Sequence, residues 1–134
     1  MQKEAILLVD DEALILLSMR QELRLAFGAR FTYELALNAK EAFGAMERLR
    51  QQGASIVLLI SDWLMPGMRG DDLLRRVHAD DPSIKLALLS GHAEEAHMKA
   101  LAEEVGLFAY LGKPYRRTEL IDLVRKSFAP ECDR

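Results

Sequence analysis

Three short, nearly unbroken apolar runs constrain this chain most: AILLV at 5–9, IVLLI at 56–60 and IKLALL at 84–89. Apart from Lys85 they do not alternate, so they need cover on both faces, the habit of strands inside a parallel sheet. Residues 31–37 alternate instead, with Phe31, Tyr33, Leu35 and Leu37 set against Thr32, Glu34 and Ala36, which predicts an edge strand. Residues 107–111 form a fifth, weaker strand pattern.

Helical spacing fills the intervals. Residues 12–27 carry Ile15, Met19, Leu23 and Phe27 every fourth position, and residues 39–52 carry Ala42, Ala45, Met46 and Leu49. Residues 70–79, 93–105 and 116–128 continue the pattern, with Leu73, Leu74 and Val77, then Ala96, Ala100, Leu101 and Val105, then Leu120, Leu123 and Val124. Gly28, Gly53 and Gly106 each follow a helical segment, where a C-terminal cap calls for positive φ. Alternation of five strands with five helices predicts a doubly wound α/β sandwich with a parallel sheet.

The chain has 134 residues, half of them hydrophobic, which suits one core and excludes a separate substrate domain. Lys and Arg number 18 against 21 Asp and Glu, so the net charge of -3 offers no general attraction to nucleic acid or anionic membrane. The single cysteine, Cys132, can build neither a disulfide framework nor a cysteine zinc site. With no apolar run long enough for a signal peptide or a membrane span, the reading is a soluble, cytoplasmic protein. Residues 1–128 form its single domain and 129–134 a tail.

Ligands of an open parallel sheet gather at the carboxyl ends of the strands. Those ends carry Asp10 and Asp11 after the first strand, Asp62 after the third, Ser90 after the fourth and Lys113 after the fifth. Singly, Asp10 or Asp11 reads as a cap on the helix that follows. Jointly, three carboxylates in one crevice repel unless compensated, and Lys113 is the one nearby cation. Such an all-oxygen set suits Mg²⁺. Zinc is disfavoured, because His78 and His97 read as helix-surface residues and His92 stands near Ser90 rather than among the aspartates.

The motifs VDDE (9–12), SDWLMPGMRG (61–70), LLSGH (88–92) and YLGKPY (110–115) together resemble the receiver domain of two-component response regulators, over residues 4–128. The resemblance implies a flavodoxin-like (βα)5 fold with strand order 2-1-3-4-5. It implies that Asp62 accepts a phosphoryl group from a phosphohistidine of a sensor histidine kinase or histidine phosphotransferase. By the same resemblance Asp11 binds Mg²⁺, Asp10 ligates it or orients it, and Asp62 and the backbone carbonyl of Leu64 complete the ligands. Lys113 and Ser90 are then expected to contact the phosphoryl oxygens, and the Lys113–Pro114 peptide to be cis. The turn Met65-Pro66-Gly67-Met68 keeps the acceptor exposed, Pro66 fixing φ while Gly67 and Gly70 relax it. Tyr110 and Ser90 are the expected switch pair, acting on a surface made by the fourth helix, fifth strand and fifth helix, where a downstream protein would bind.

Rival readings fit less well. A haloacid-dehalogenase-type phosphatase needs a second aspartate at the position of Leu64. A flavin-binding flavodoxin needs hydroxyls and amides where Asp10, Asp11 and Glu12 stand. A phosphorylation-independent adaptor of the same fold would dispense with Asp11, Asp62 or Lys113, and all three are present. The expectation is therefore a switch that promotes only its own phosphorylation and dephosphorylation. Leu64 and His92 are expected to tune the phosphoryl lifetime. Leu14 and Leu17, apolar beyond the helical stripe, are expected to dock a donor helix. A homodimer, and membership of a longer regulator or hybrid kinase, are left open.

Overall fold

A computed structural model of the chain describes residues 3–91 and 95–128, the side chains of residues 95 and 96 excepted. Five strands, β1 (Glu4–Val9), β2 (Thr32–Ala36), β3 (Ser55–Asp62), β4 (Lys85–Ser90) and β5 (Ala109–Gly112), alternate with five helices. These are α1 (Ala13–Phe27), α2 (Ala39–Gln51), α3 (Gly70–Asp80), α4 (Glu95–Val105) and α5 (Arg117–Phe128), with a short 3-10 turn at Gly28–Arg30 after α1. The sheet is wholly parallel in the order β2-β1-β3-β4-β5, the doubly wound arrangement expected.

Burial on both faces follows from the unbroken apolar runs. Residues 5–9 are all buried, and they divide between two cores as side chains alternate across the sheet. One core joins Ala5, Leu7 and Leu59 to the inner faces of α2, α3 and α4; the other joins Ile6, Leu8 and Ile60 to α1 and α5. Gly28, Gly53 and Gly106 all have positive φ, as the capping argument required. α2 is further fixed by Asn38, whose side chain accepts from the Glu41 amide at 2.9 Å while Glu41 accepts from the Leu37 amide at 2.8 Å.

Two helical stripes differ from expectation. On α1 the buried set is Leu16, Met19 and Leu23, with Ile15 and Phe27 only partly covered. A strict four-residue step runs ahead of the helical period by about 40° each time, so Ile15 and Phe27 fall on the flanks of the face. On α4 it is Met98, with Leu101 and Val105, that fills the core, and Ala100 is exposed. β2 stops at Ala36, which leaves Leu37 outside the alternation and exposed.

Candidate functional site

β1 and β3 are neighbours and end at the same level, Val9 pairing with Ser61, so Asp10, Asp11 and Asp62 come together at the carboxyl edge of the sheet. Carboxylate oxygens of all three lie within 4.8 Å of one another. Asp62 is the last residue of β3 rather than the first beyond it. Ser90 ends β4 and is buried; its carbonyl accepts from the Lys113 amide at 2.8 Å, which ties the loop after β5 to the same edge. The Lys113–Pro114 peptide is cis, as expected. Lys113 Nζ lies 2.8 Å from Asp62 Oδ1 and 3.7 Å from Asp10 Oδ2.

The electrostatics follow from burial. Asp10 is 0% exposed, and one oxygen accepts from the Glu12 amide at 2.9 Å, a local turn. That bond, and a first helical turn whose N-cap Glu12 makes no side-chain cap, disposes of the capping role for Asp10. Its other oxygen, Oδ2, accepts no hydrogen bond among the described residues. Burial pushes the Asp10 carboxyl up to about 6; the Glu12 amide opposes this and the Asp62 charge adds to it. Burial pushes the Lys113 ammonium down, but the hydrogen bond and charge of Asp62 outweigh it and hold the group above its usual value.

Three carboxylates against one ammonium, with a buried oxygen lacking a donor, is a set that a hard divalent cation would satisfy. Asp11, exposed at the rim, leaves such an ion reachable from solvent. The residues thus fit Mg²⁺.

The other candidates lie around this centre. Leu64 projects from the loop after β3 at 60% exposure, and Tyr110 on β5 is 54% exposed. Leu14 and Leu17 are exposed on α1, Leu14 at 80%. His92 lies outside the described residues. Gly67 has φ 90, as the turn required, whereas Gly70 does not have positive φ, and Asp62, expected to be exposed by this turn, is instead buried at 6% exposure beneath its contact with Lys113. Gly70 serves close approach instead: a Cβ there would meet the Asp62 carbonyl oxygen at 2.0 Å.

Two packing features lie beyond what the sequence conveys. Trp63, directly after Asp62, is buried between the guanidinium of Arg69, 5.9 Å from its ring, and His97 of α4, 6.2 Å between centroids. Asp71, in the first turn of α3, is buried and receives hydrogen bonds from Arg69 (2.7 and 3.0 Å) and Arg75 (3.0 Å). Burial alone would raise its pKa, but the two guanidiniums win and lower it. Arg75 also bonds Glu104 on α4 at 3.0 and 3.2 Å, so α3 and α4 are tied through a charge network. Its signal in sequence is only the cluster of charges at Arg69, Asp71, Asp72, Arg75 and Arg76.

Comparison with known proteins agrees with this geometry. The family described as response regulator receiver domain matches residues 6–125. The chemotaxis protein CheY1 of Helicobacter pylori is 33% identical over 115 residues, covering 82% of this chain and 85% of that protein. The sensor kinase CckA of Brucella abortus is 31% identical over 90% of this chain, which spans 12% of that protein's length. Against the C4-dicarboxylate transport transcriptional regulatory protein DctD of Rhizobium meliloti, 32% identical over 92% of this chain, the span is 25%. The signal receiver domain of an HD domain-containing protein from Pseudomonas fluorescens superposes with a TM-score of 0.80 at 28% identity, covering 94% of both chains. The receiver domain of a CheY-like protein from Methanospirillum hungatei does so at 0.78 and 26% identity, over 93% of both. Acidic edge, lysine and strand order coincide with a family match over most of the sequence, and the chain belongs to the response regulator receiver domains, the signalling switches of two-component systems.

Proposed function

We propose that Asp62 accepts a phosphoryl group from a phosphohistidine of a sensor histidine kinase or a histidine phosphotransferase, and that the α4-β5-α5 face passes the state to a downstream protein. The observation that carries this reading is the 2.8 Å contact of Lys113 Nζ with Asp62 Oδ1 inside the acidic cluster. An Asp62 oxygen uses a lone pair to form the O–P bond as the P–N bond to the donor imidazole breaks. The imidazole keeps that electron pair and takes a proton from solvent. Lys113, already on Asp62, pairs with the phosphoryl oxygens as they arrive, and the Ser90 hydroxyl donates to one of them.

Asp10, Asp11, Asp62 and the Leu64 backbone carbonyl are the residues that would hold Mg²⁺. When bound, the ion offsets the mutual repulsion of anionic acceptor and anionic phosphoryl group. Movement of Ser90 toward the new group frees space into which Tyr110, now exposed, turns inward. The chain turns over no external substrate in this reading and promotes only its own phosphorylation and dephosphorylation.

Acetyl phosphate with Mg²⁺, followed by intact mass, tests the proposal. Wild type gains one phosphoryl group, and Asp62→Asn, nearly isosteric and relieved of one charge, stays folded with equal or higher thermal stability and gains none. Uptake by Asp62→Asn at near the wild-type rate removes Asp62 as the acceptor. No uptake by wild type favours the adaptor reading.

A further inference from the structure

Beside the acidic edge, on the face covered by α2 and α3, lies an open hollow of about 840 Å³. Its apolar lining is Leu37, Phe43, Pro66 and Met68, a polarisable and partly aromatic surface. Two cations stand on it, Lys40 from the first turn of α2 and Arg76 from the outer face of α3, against one carboxylate, Asp11, where the hollow meets the acidic edge. Arg76 stacks on Phe43 with its guanidinium carbon 4.8 Å from the ring centroid. Among the described residues neither cation has a carboxylate partner, although Arg48, Arg50, Arg69 and Arg75 on the same two helices and the loop between them are all paired. The foot of the α2–α3 cleft is closed by the ion pair of Arg50 with Asp80. The volume lies within the range of small-molecule sites, which are largely apolar with a few placed polar groups.

We infer that this hollow binds a small aromatic anion, a flat apolar ring system bearing one carboxylate, sulfonate or phosphate. The ring would lie against Phe43 and Met68, and the anionic group would meet Lys40 and Arg76, whose charges are otherwise turned to solvent. Pro66, Gly67 and Met68 form one wall, and they belong to the loop that leaves Asp62. An occupant therefore bears on that loop from the α2–α3 cleft rather than from the α4-β5-α5 face, giving the domain a chemical input separate from its donor.

The probe is anilinonaphthalene sulfonate, titrated in EDTA into the isotopically labelled chain and read by amide chemical shifts. Saturable shifts are expected at Asn38, Lys40, Phe43, Gly67, Met68 and Arg76. The neutral analogue phenylnaphthylamine should bind at least tenfold more weakly. The double variant Lys40→Gln, Arg76→Gln, altered only at exposed side chains, should bind the sulfonate at least tenfold more weakly and no longer distinguish it from the neutral probe. Shifts centred on the groove of Met98, Phe108 and Tyr110, equal affinity for both probes in wild type, or undiminished binding by the double variant would each overturn the inference. The comparison of the two probes on wild type holds even if the double variant folds poorly.

Discussion

Asp10 carries the largest electrostatic tension of any single residue at the site, since its carboxylate is buried with one oxygen lacking a donor. Its folded pKa lies at about 6, above the 3.8 of an ordinary aspartate, so the folded state favours the protonated form. The associated stability is fully present below pH 3.8 and is lost as pH rises through about 6. That displacement corresponds to at most about 3 kcal/mol. Urea denaturation in EDTA should find Asp10→Asn more stable than wild type by about 1–3 kcal/mol at pH 7, with the gap closing near pH 4. Parallel pH profiles for the two proteins would contradict this. Leu64, exposed two residues after the acceptor, cannot hydrogen-bond the water that would hydrolyse an acyl phosphate. Leu64→Asn should shorten the phosphoryl lifetime by about fivefold, the worth of one water hydrogen bond of about 1 kcal/mol, while His92→Ala leaves it unchanged. A longer lifetime in His92→Ala would instead make that imidazole the base. Asp10, Asp11, Asp62, Ser90 and Lys113 were legible because each ends an apolar run whose direction the parallel sheet dictates. The burial of Asp10 and the steric need for Gly70 were not, since both depend on how the chain folds back in space, Gly70 meeting the backbone of Asp62 and Trp63.

Among the elements, α1 shows most directly what periodicity can and cannot convey. Its existence and length follow from the apolar spacing, but its rotation does not. Leu16 rather than Ile15 joins the core because the second core already holds Leu8, Leu58 and Ile60 against that side of the helix. With Leu16 inside, Leu14 and Leu17 remain in solvent close to the acidic edge, and they are our proposed docking surface for the donor's helix. Leu14→Glu and Leu17→Glu should slow phosphoryl transfer from a protein donor about tenfold, the effect of roughly 1.4 kcal/mol, and leave labelling by acetyl phosphate unaltered. Equal losses with both donors would refute docking. The same limit holds for α4, where Met98 takes the buried place expected of Ala100, because a helix with few large apolar residues gives periodicity little to lock on to. The bond from Arg75 to Glu104 then supplies registration between α3 and α4 that apolar contact alone does not specify.

On the scale of the whole molecule, the two cores differ in chemistry. The α2-α3-α4 side is mostly aliphatic with methionine, whereas the α1-α5 side ends in an aromatic knot of Phe27, Phe31, Tyr33 and Phe128 with ring centroids 5.4–6.3 Å apart where they touch. Arg30 lies over Phe128 at 4.2 Å and over Phe31 at 5.2 Å. This knot fastens the last turn of α5 to the end of α1 and the start of β2, at the edge opposite the acidic site. Phe128→Ala should cost about 2–3 kcal/mol in urea denaturation, below the full core value because the ring is only partly buried, and leave phosphoryl uptake by Asp62 intact. A loss under 1 kcal/mol would show the knot to be ornamental. At the other edge, Trp63 is the sole tryptophan of the chain, packed against Arg69 and α4 directly after the acceptor. Light absorbed by tryptophan therefore samples one place only, so under the proposed function emission from the unlabelled protein would serve as a clock for ion binding, phosphoryl arrival and decay, with no dye attached.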